Sequence, residues 1–362
     1  ISSTDNFFKD ELLVLNNAIE LIKKNVEIIE SKLDYIFKEV IIILDKFNCT
    51  SVSISGYKRL NQSQVLKENI SYILNSLKLA VTDNEKNKSI LHIFNSKSVL
   101  DKNITDNLPI GLFGDFYNHE LTFFLIKNND LKNIKQIFNK NSLNIKKIIN
   151  KNFIECTQLI DKDMNFETFY CIKIKKDSSS ISFFDSSALR YLENFNFGTN
   201  LLLQDVSKIC SLNYEIINKI LMDKIFDKEN LKEDDLIENK FFNNNYRKIK
   251  KKLIKEIVQA RIEEIADVIL FKNINTKSFQ NEIIKIYVII EDEIILDNFK
   301  KDFIFYFSKN LKNKSTLLKN FEIEPLFIKA AQLSVFGWKK EAIPILQTKK
   351  SLITKIFKTI FE

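Results

Sequence analysis

Segments with a strand-like period of two alternate with segments of helical period along most of the chain. This alternation constrains the fold more than any other feature. Residues 50–56 alternate polar and apolar side chains and end at a glycine, as a β-strand does. Residues 10–33 and 64–79 instead repeat their apolar side chains at helical spacing. Interleaved strands and helices predict an α/β fold with mixed sheets.

The rest of the chain continues this alternation. Further strands are predicted at 89–94, 121–126, 166–174, 181–184, 187–195 and 285–290. Further helices are predicted at 34–47, 131–149, 201–221, 246–270, 296–310 and 327–338. The block at 51–127 has strands, a helix and a turn of its own, which indicates a small α/β unit inserted between larger pieces.

Composition excludes several kinds of site. The chain has 362 residues, of which 45% are hydrophobic, enough to bury one large core or two to three smaller ones. Its four cysteines are far apart, which predicts buried thiols in a reducing compartment, and two histidines disfavour a zinc or triad site. The formal charge of +8 favours anionic partners, although most lysines alternate with acidic residues and are expected to be solvated surface. Neither a signal peptide nor an apolar run of the roughly 20 residues that span a bilayer is present.

The segment 351–362 is predicted to be a basic amphipathic helix. On a helical wheel one half is apolar, comprising Leu352, Ile353, Ile356, Phe357, Ile360 and Phe361. Lysines lie on the other half or just before the helix, namely Lys349, Lys350, Lys355 and Lys358. This pattern is typical of a helix that lies in the plane of an anionic membrane surface. The alternative is a terminal helix that packs on its own domain.

Several segments, in chain order, resemble the bacterial cell-division family FtsA, which is actin-like. The segments that resemble this family are Leu108-Pro-Ile-Gly-Leu-Phe-Gly114 with His92 before it, Ser187-Ala-Leu-Arg190, Phe197-Gly198 followed by Gln204-Asp205-Val206, and Gln259-Ala-Arg-Ile-Glu-Glu264. The resemblance covers about residue 20 to the end. It implies an actin-like (ribonuclease-H-like) two-lobed fold with a small inserted α/β subdomain and a terminal amphipathic helix. The first phosphate loop of the family would precede Ile1, so we expect that the chain lacks an N-terminal piece.

The resemblance also implies a domain organisation. It assigns 1–50 to the first lobe, 51–128 to the inserted subdomain, 129–165 to the first lobe again, 166–344 to the second lobe with its FtsZ-binding subdomain at about 210–284, 345–350 to a linker and 351–362 to the membrane helix.

The family's second phosphate loop, rich in glycine, aligns with residues 173–179, and its adenosine-side glycine motif aligns with 289–293. Lysines and an aspartate replace the glycines of the first motif, and carboxylates replace those of the second. Side chains and negative charge at these positions oppose nucleotide binding by steric clash and Coulomb repulsion. We therefore expect a degenerate ATP site and no efficient hydrolysis.

The residues that remain for the cofactor in this degenerate site are Ser178, Ser179 and Gly198, and we name no catalytic residue and no metal ligand. The alternative to a degenerate site is that Lys173, Lys175 and Lys176 take the place of magnesium and neutralise phosphate directly.

The predicted partner site is on the helix that carries Arg261 and Glu264. These residues are three apart and share a face, and in the resembled family this helix binds the acidic-apolar C-terminal tail of FtsZ. Gln259 stands where the family has a glutamate. The alternative is that Arg261 and Glu264 only form an ion pair within the helix.

The function that these features predict is that of an adaptor that tethers FtsZ filaments to the inner face of the cytoplasmic membrane at the division site. The resemblance also implies self-association into actin-like filaments. A second interpretation is a PilM-like ATPase or scaffold of a pilus or secretion platform, which would need intact glycine loops. A nucleic-acid partner is not expected, because no recognised binding motif is present.

Overall fold

The structure is a computed structural model that describes residues 11–45, 47–105, 107–162, 168–227, 232–242, 246–279, 285–309, 315–318 and 323–344. The linker at 345–350 and the segment 351–362, with all ten predicted membrane-contacting residues, lie outside the described residues. The described helices are α1 Glu11–Leu33, α2 Lys67–Asn84, α3 Asn128–Asn139, α4 Lys151–Lys162, α5 Asn200–Cys210, α6 Tyr214–Met222, α7 Lys251–Ala266, α8 Glu293–Ser308 and α9 Ile323–Phe336. The described strands are β1 Glu39–Leu44, β2 Thr50–Gln64, β3 Lys88–Leu100, β4 Asn103–Thr105, β5 Phe113–Lys127, β6 Asn144–Asn150, β7 Phe169–Ile174, β8 Ser179–Asp185, β9 Ala188–Phe195, β10 Lys285–Ile290, β11 Ser315–Leu318 and β12 Glu341–Pro344.

These elements form two compact units and confirm the predicted α/β class. Unit 1 takes the chain up to Leu159, Ser186–Arg190 and the residues from Ile323 onward, and unit 2 takes Ile160–Asp185 and Tyr191–Glu322.

Unit 1 contains an antiparallel sheet in the order β12-β3-β5-β2, with β4 paired to β3, and a separate parallel pair of β1 and β6. Helix α2 covers one face of the antiparallel sheet because its apolar residues recur at helical spacing. It buries Ile73, Leu77 and Val81 against the strands.

Unit 2 is built on a sheet in the order β11-β10-β7-β8-β9. Strands β11, β10 and β7 are parallel, and β8 returns antiparallel to β7. Every side chain of β7 is buried, as a central strand covered on both faces requires. Helices α5 to α8 contribute to the same core cluster as β7, β8 and β10.

Two predicted helices contain strands. Residues 34–47 include β1, and the predicted helix at 131–149 divides into α3 and β6, with a turn at Ser142 where φ is +57°. Short apolar runs do not distinguish a buried strand from a buried helix, and here the parallel ladder between β1 and β6 decides for the strand.

The domain assignment of 323–344 also changes. The sequence placed these residues in the second lobe, but they belong to unit 1 because β12 pairs antiparallel with β3.

A buried charged network holds β12 in place. The Glu341 carboxylate accepts from Lys147 Nζ on β6 and from His92 Nδ1 on β3, each at 2.9 Å, and the side chains of Glu341 and Lys147 are 1% and 3% exposed. Lys147 Nζ also donates to the Leu333 carbonyl at the end of α9. Burial raises the pKa of Glu341, but His92 and Lys147 outweigh burial and hold the pKa below its ordinary value. The network joins β3 and β6 to the consecutive elements α9 and β12, which lie far from them in sequence.

We expect Glu341→Gln to lower the free energy of unfolding at pH 7 by about 3 kcal/mol, because Lys147 then stays buried without a counter-charge. The pKa of Glu341 is lower in the folded protein than in the unfolded protein, where a glutamate pKa is about 4.3. The carboxylate therefore stabilises the fold above about pH 4.3, and this stabilisation is lost as the pH falls through the pKa of the folded state. Urea unfolding at pH 7 and at pH 3 should therefore show that the difference between the two proteins shrinks in acid.

The matched control is Glu27→Gln, in the exposed Lys23–Glu27 pair of α1, which we expect to change stability by less than about 0.5 kcal/mol. Equal losses in the two variants would contradict the role of the buried network.

Candidate functional site

The two degenerate glycine motifs lie side by side in unit 2 and bind each other. Strands β7 and β10 are parallel neighbours, so Lys173 near the end of β7 and Glu291 just after β10 lie at the same edge of the sheet. Lys173 Nζ is 2.9 Å from Glu291 Oε1, and the Lys173 side chain is 6% exposed. The Glu291 N–H also donates to the Ile174 carbonyl at 2.9 Å. Lys173 is therefore committed to a protein carboxylate and does not present a free ammonium group to a phosphate.

Gly198 brings two backbone segments into direct contact. A Cβ atom on Gly198 would lie 2.0 Å from the Lys175 carbonyl oxygen and 2.7 Å from that of Lys176. Only glycine fits there. The close approach lets the N–H groups of Thr199 and Asn200 donate to those two carbonyls, each at 2.9 Å.

These donors are the groups that a helix N-terminus offers to an anion. The next two N–H groups at the start of α5 are also used, from Leu201 to the Gly198 carbonyl at 3.2 Å and from Leu202 to the Thr199 carbonyl at 3.0 Å. The N-terminus of α5 is thus occupied by the chain itself, where a phosphate-binding loop would leave its donors open.

The predicted cofactor residues Ser178, Ser179 and Gly198 do come together, but the contacts made there hold the turn. Ser179 Oγ donates to the Phe197 carbonyl at 2.7 Å, and the Ser178 carbonyl accepts from the Lys175 N–H at 2.8 Å. The Asn200 side-chain amide closes the same turn by donating to Asp177 Oδ1 at 2.6 Å.

Asp292, in the second degenerate motif, is buried and has two partners. It accepts from Thr199 Oγ1 at 2.9 Å and caps α8 by accepting from the Ile295 N–H at 3.4 Å.

The alignment identified the motif but gave no signal for Thr199. The opposite charges of Lys173 and Glu291 were the one sequence signal that could have predicted contact between the two motifs.

A cleft of about 250 Å³ remains beside this turn, slightly below the usual range of roughly 300–1,000 Å³ for small-molecule sites. Its polar lining consists of Lys176, Asn200, Gln204, Tyr214, Asn218 and Asp292.

The second candidate site is a surface groove of about 360 Å³ between α5 and α7. We call it the α5–α7 groove, and it is lined by Asp205, Ile209, Glu256, Ile257, Ala260, Arg261 and Glu264. Both predicted partner-binding residues are in it. Arg261 bonds through Nε to Asp205 and through Nη1 to Glu264 Oε2 at 2.6 Å, so the predicted ion pair within the helix is present, with Asp205 as a further partner.

Within the described ranges, no helix has the length and hydropathy to cross a bilayer, and no cluster of three or more histidine, cysteine, aspartate or glutamate side chains could hold a metal ion.

No family model and no curated protein matches this sequence. Solved structures are similar to it at low identity. A PilM–PilN type IV pilus biogenesis complex is 8% identical, with a TM-score of 0.47 over 89% of this chain and 84% of that one. A protein from Bacteroides thetaiotaomicron VPI-5482, described as having an actin-like ATPase fold and unknown function, is 11% identical, with a TM-score of 0.33 over 85% and 81%. An archaeal actin homologue, Ta0583, is 10% identical, with a TM-score of 0.33 over 53% and 56%. Two of these three descriptions name actin, the fold that the resemblance to FtsA implies.

Replacing Gly198 with alanine should lower the free energy of unfolding by about 3 kcal/mol, because the methyl group would meet backbone carbonyls that cannot rotate away. Urea denaturation followed by circular dichroism measures the loss. The control is Gly56→Ala, whose Cβ would meet only side-chain atoms of Ile73 and Leu77 and should cost clearly less. A loss at Gly198 no larger than that at Gly56 would contradict the tight backbone contact.

Calorimetric titration with ATP should give no binding heat up to about 1 mM nucleotide, with or without magnesium, because the donors at the start of α5 are already bonded. A dissociation constant well below 1 mM would contradict a self-occupied site. Heat that is the same with and without magnesium would instead favour direct neutralisation of phosphate by Lys175 and Lys176.

Proposed function

We propose that this protein is an actin-like adaptor that tethers a filament-forming partner to a membrane surface and works as a scaffold rather than an ATPase. The observation that supports a scaffold rather than an ATPase is the bonding of the four N–H groups from Thr199 to Leu202 to the chain's own carbonyls.

A bound triphosphate would have to displace several contacts at once. It would break the bonds between the start of α5 and the turn after β7, and it would bring its negative charge close to Glu291 and Asp292. The carboxylates repel phosphate, and the displaced carbonyls of Lys175 and Lys176 would lose their N–H donors. Hydrolysis also needs a positioned nucleophile and a metal or cation clamp, and we assign no residue to either role.

The membrane contact in this proposal is the segment 351–362. Each of its lysines near an anionic leaflet adds roughly 1 kcal/mol of binding, and six large apolar side chains add burial in the interface. The proposed location is the cytoplasmic face of the inner membrane at the division site.

The proposed filament partner is FtsZ, on the strength of the resemblance. The acidic tail of FtsZ is not placed at Arg261 in this proposal, because Arg261 already binds two carboxylates and Glu256 is in the same groove. An acidic peptide there would meet more negative than positive charge.

Co-sedimentation tests the tether. The intact chain should pellet with anionic liposomes and should bring FtsZ filaments with it, whereas deletion of 349–362 should leave both in the supernatant. Neutral liposomes are the control, because loss of the anionic lipid removes the lysine contribution. If the deleted chain still pelleted with anionic liposomes, the anchor would be refuted. Liposome binding without FtsZ recruitment would favour the pilus-platform scaffold.

A further inference from the structure

Strand β2 forms an edge of the antiparallel sheet of unit 1 and pairs with β5 on one side. No strand in the described part of the chain pairs with its other side. Alternate residues of an antiparallel strand turn their N–H and C=O groups to opposite sides, so about half of these groups along β2 face outward. At 15 residues, β2 is also far longer than the mean strand of about 5–6 residues. A long open edge of this kind is a template for a further strand.

Only the second half of β2 has features that protect an edge from pairing. Lys58 and Arg59 place charge there, and the register with β5 shifts after Arg59, where Asn61 and Gln62 have positive φ. Residues 50–57 contain no charged side chain and no proline, and their register with β5 is continuous. An uncharged, unprotected edge with this composition promotes aggregation unless it has a specific partner. The first half of β2 is therefore the segment where a partner strand is expected.

The side chains along this edge indicate the chemistry of that strand. On one face, a row of hydroxyl groups crosses three strands: Thr122 Oγ1 is 2.6 Å from Ser96 Oγ and 2.9 Å from Ser53 Oγ. The row ends at Ser53, which is exposed at the open edge. On the other face, Val52 and Ile54 pack against the core under α2 but are only half-buried. A strand with small hydroxyls on one face and aliphatic side chains on the other would continue both rows.

We propose that β2 pairs antiparallel with β2 of a second copy of this chain, about a two-fold axis at Ile54. Ile54 of one copy then faces Ile54 of the other, and Ser53 of each copy faces Ser55 of the other, which extends the hydroxyl row. Lys58 of each copy faces Thr50 of the other, so no cation opposes a cation. The strand thus supplies its own complement on both faces.

This register pairs nine residues, 50–58, before it reaches Arg59. The paired strands would form about eight to ten backbone hydrogen bonds, close to the roughly ten of a typical protein interface. Both copies use the same edge and leave none open, so the contact gives a closed dimer rather than a filament. The pairing is independent of the proposed membrane and FtsZ contacts, and liposome binding does not bear on it.

The first experiment is sedimentation velocity on the full-length chain up to about 100 μM, where we expect a monomer–dimer equilibrium. Ser53→Lys combined with Ser55→Lys should raise the dimer dissociation constant at least about tenfold, because lysines then face lysines across the axis. The matched control is Ser53→Lys combined with Ser55→Glu, which should dimerise at least as well as wild type because each lysine faces a glutamate. Both variants lose the same Ser53 hydroxyl, so their difference reports the pairing alone.

Equal dimerisation by the two double variants would overturn the proposal, because the contact would then lie elsewhere, for example in the segment 351–362. A wild-type chain that stayed monomeric at about 100 μM would overturn it as well.

The second experiment needs no variant. Hydrogen exchange of the wild-type chain is compared at about 1 and 100 μM, and the outward amides of 50–58 should exchange at least about threefold more slowly at the higher concentration. The control is β4, which lies at the opposite side of the same sheet and should not change. A dimer that formed without protection of 50–58 would overturn the proposal.

Discussion

The backbone contact between Gly198 and the turn after β7 is the constraint on which the rest of unit 2 depends. It brings the start of α5 within hydrogen-bonding distance of the Lys175 and Lys176 carbonyls, and those bonds set where α5 begins. Helix α5 packs on α7 through the shared core and carries one wall of the acidic groove. The same contact therefore also positions the α5 side of the α5–α7 groove.

Each buried charge in the two degenerate motifs has a partner in the structure. A buried lysine without a partner costs several kcal/mol, so Lys173 is tolerable only because Glu291 meets it across neighbouring parallel strands. Asp292 is likewise buried, and Thr199 and the first turn of α8 satisfy its oxygens. The buried charges of the two motifs are therefore satisfied by partners within unit 2.

The sequence predicted the elements whose periodicity is long or unambiguous, such as α1 and the β-branched strand β10. It did not predict β1 and β6, because an apolar run of four to seven residues fits either element until its neighbour is known. The sequence shows that residues 173–179 and 289–293 lack glycine, but it did not predict the hydrogen bonds at the start of α5, since these depend on backbone carbonyls that carry no sequence signature. Glu264 could be predicted as a partner of Arg261 because the two residues are three apart on one helix. Asp205 could not be predicted, because it lies 56 positions away on another helix.

The hydrogen bonds that occupy the N-terminus of α5 have a consequence for stability and regulation. A protein that binds nucleotide gains stability in proportion to the logarithm of ligand over its dissociation constant, so its folded population and conformation follow the nucleotide supply. In the proposed scaffold, hydrogen bonds within the chain take the place of that ligand, so the folded state would not follow the nucleotide supply. The proposed scaffold would not use hydrolysis as a switch, and control over it would act on its contacts with its partners.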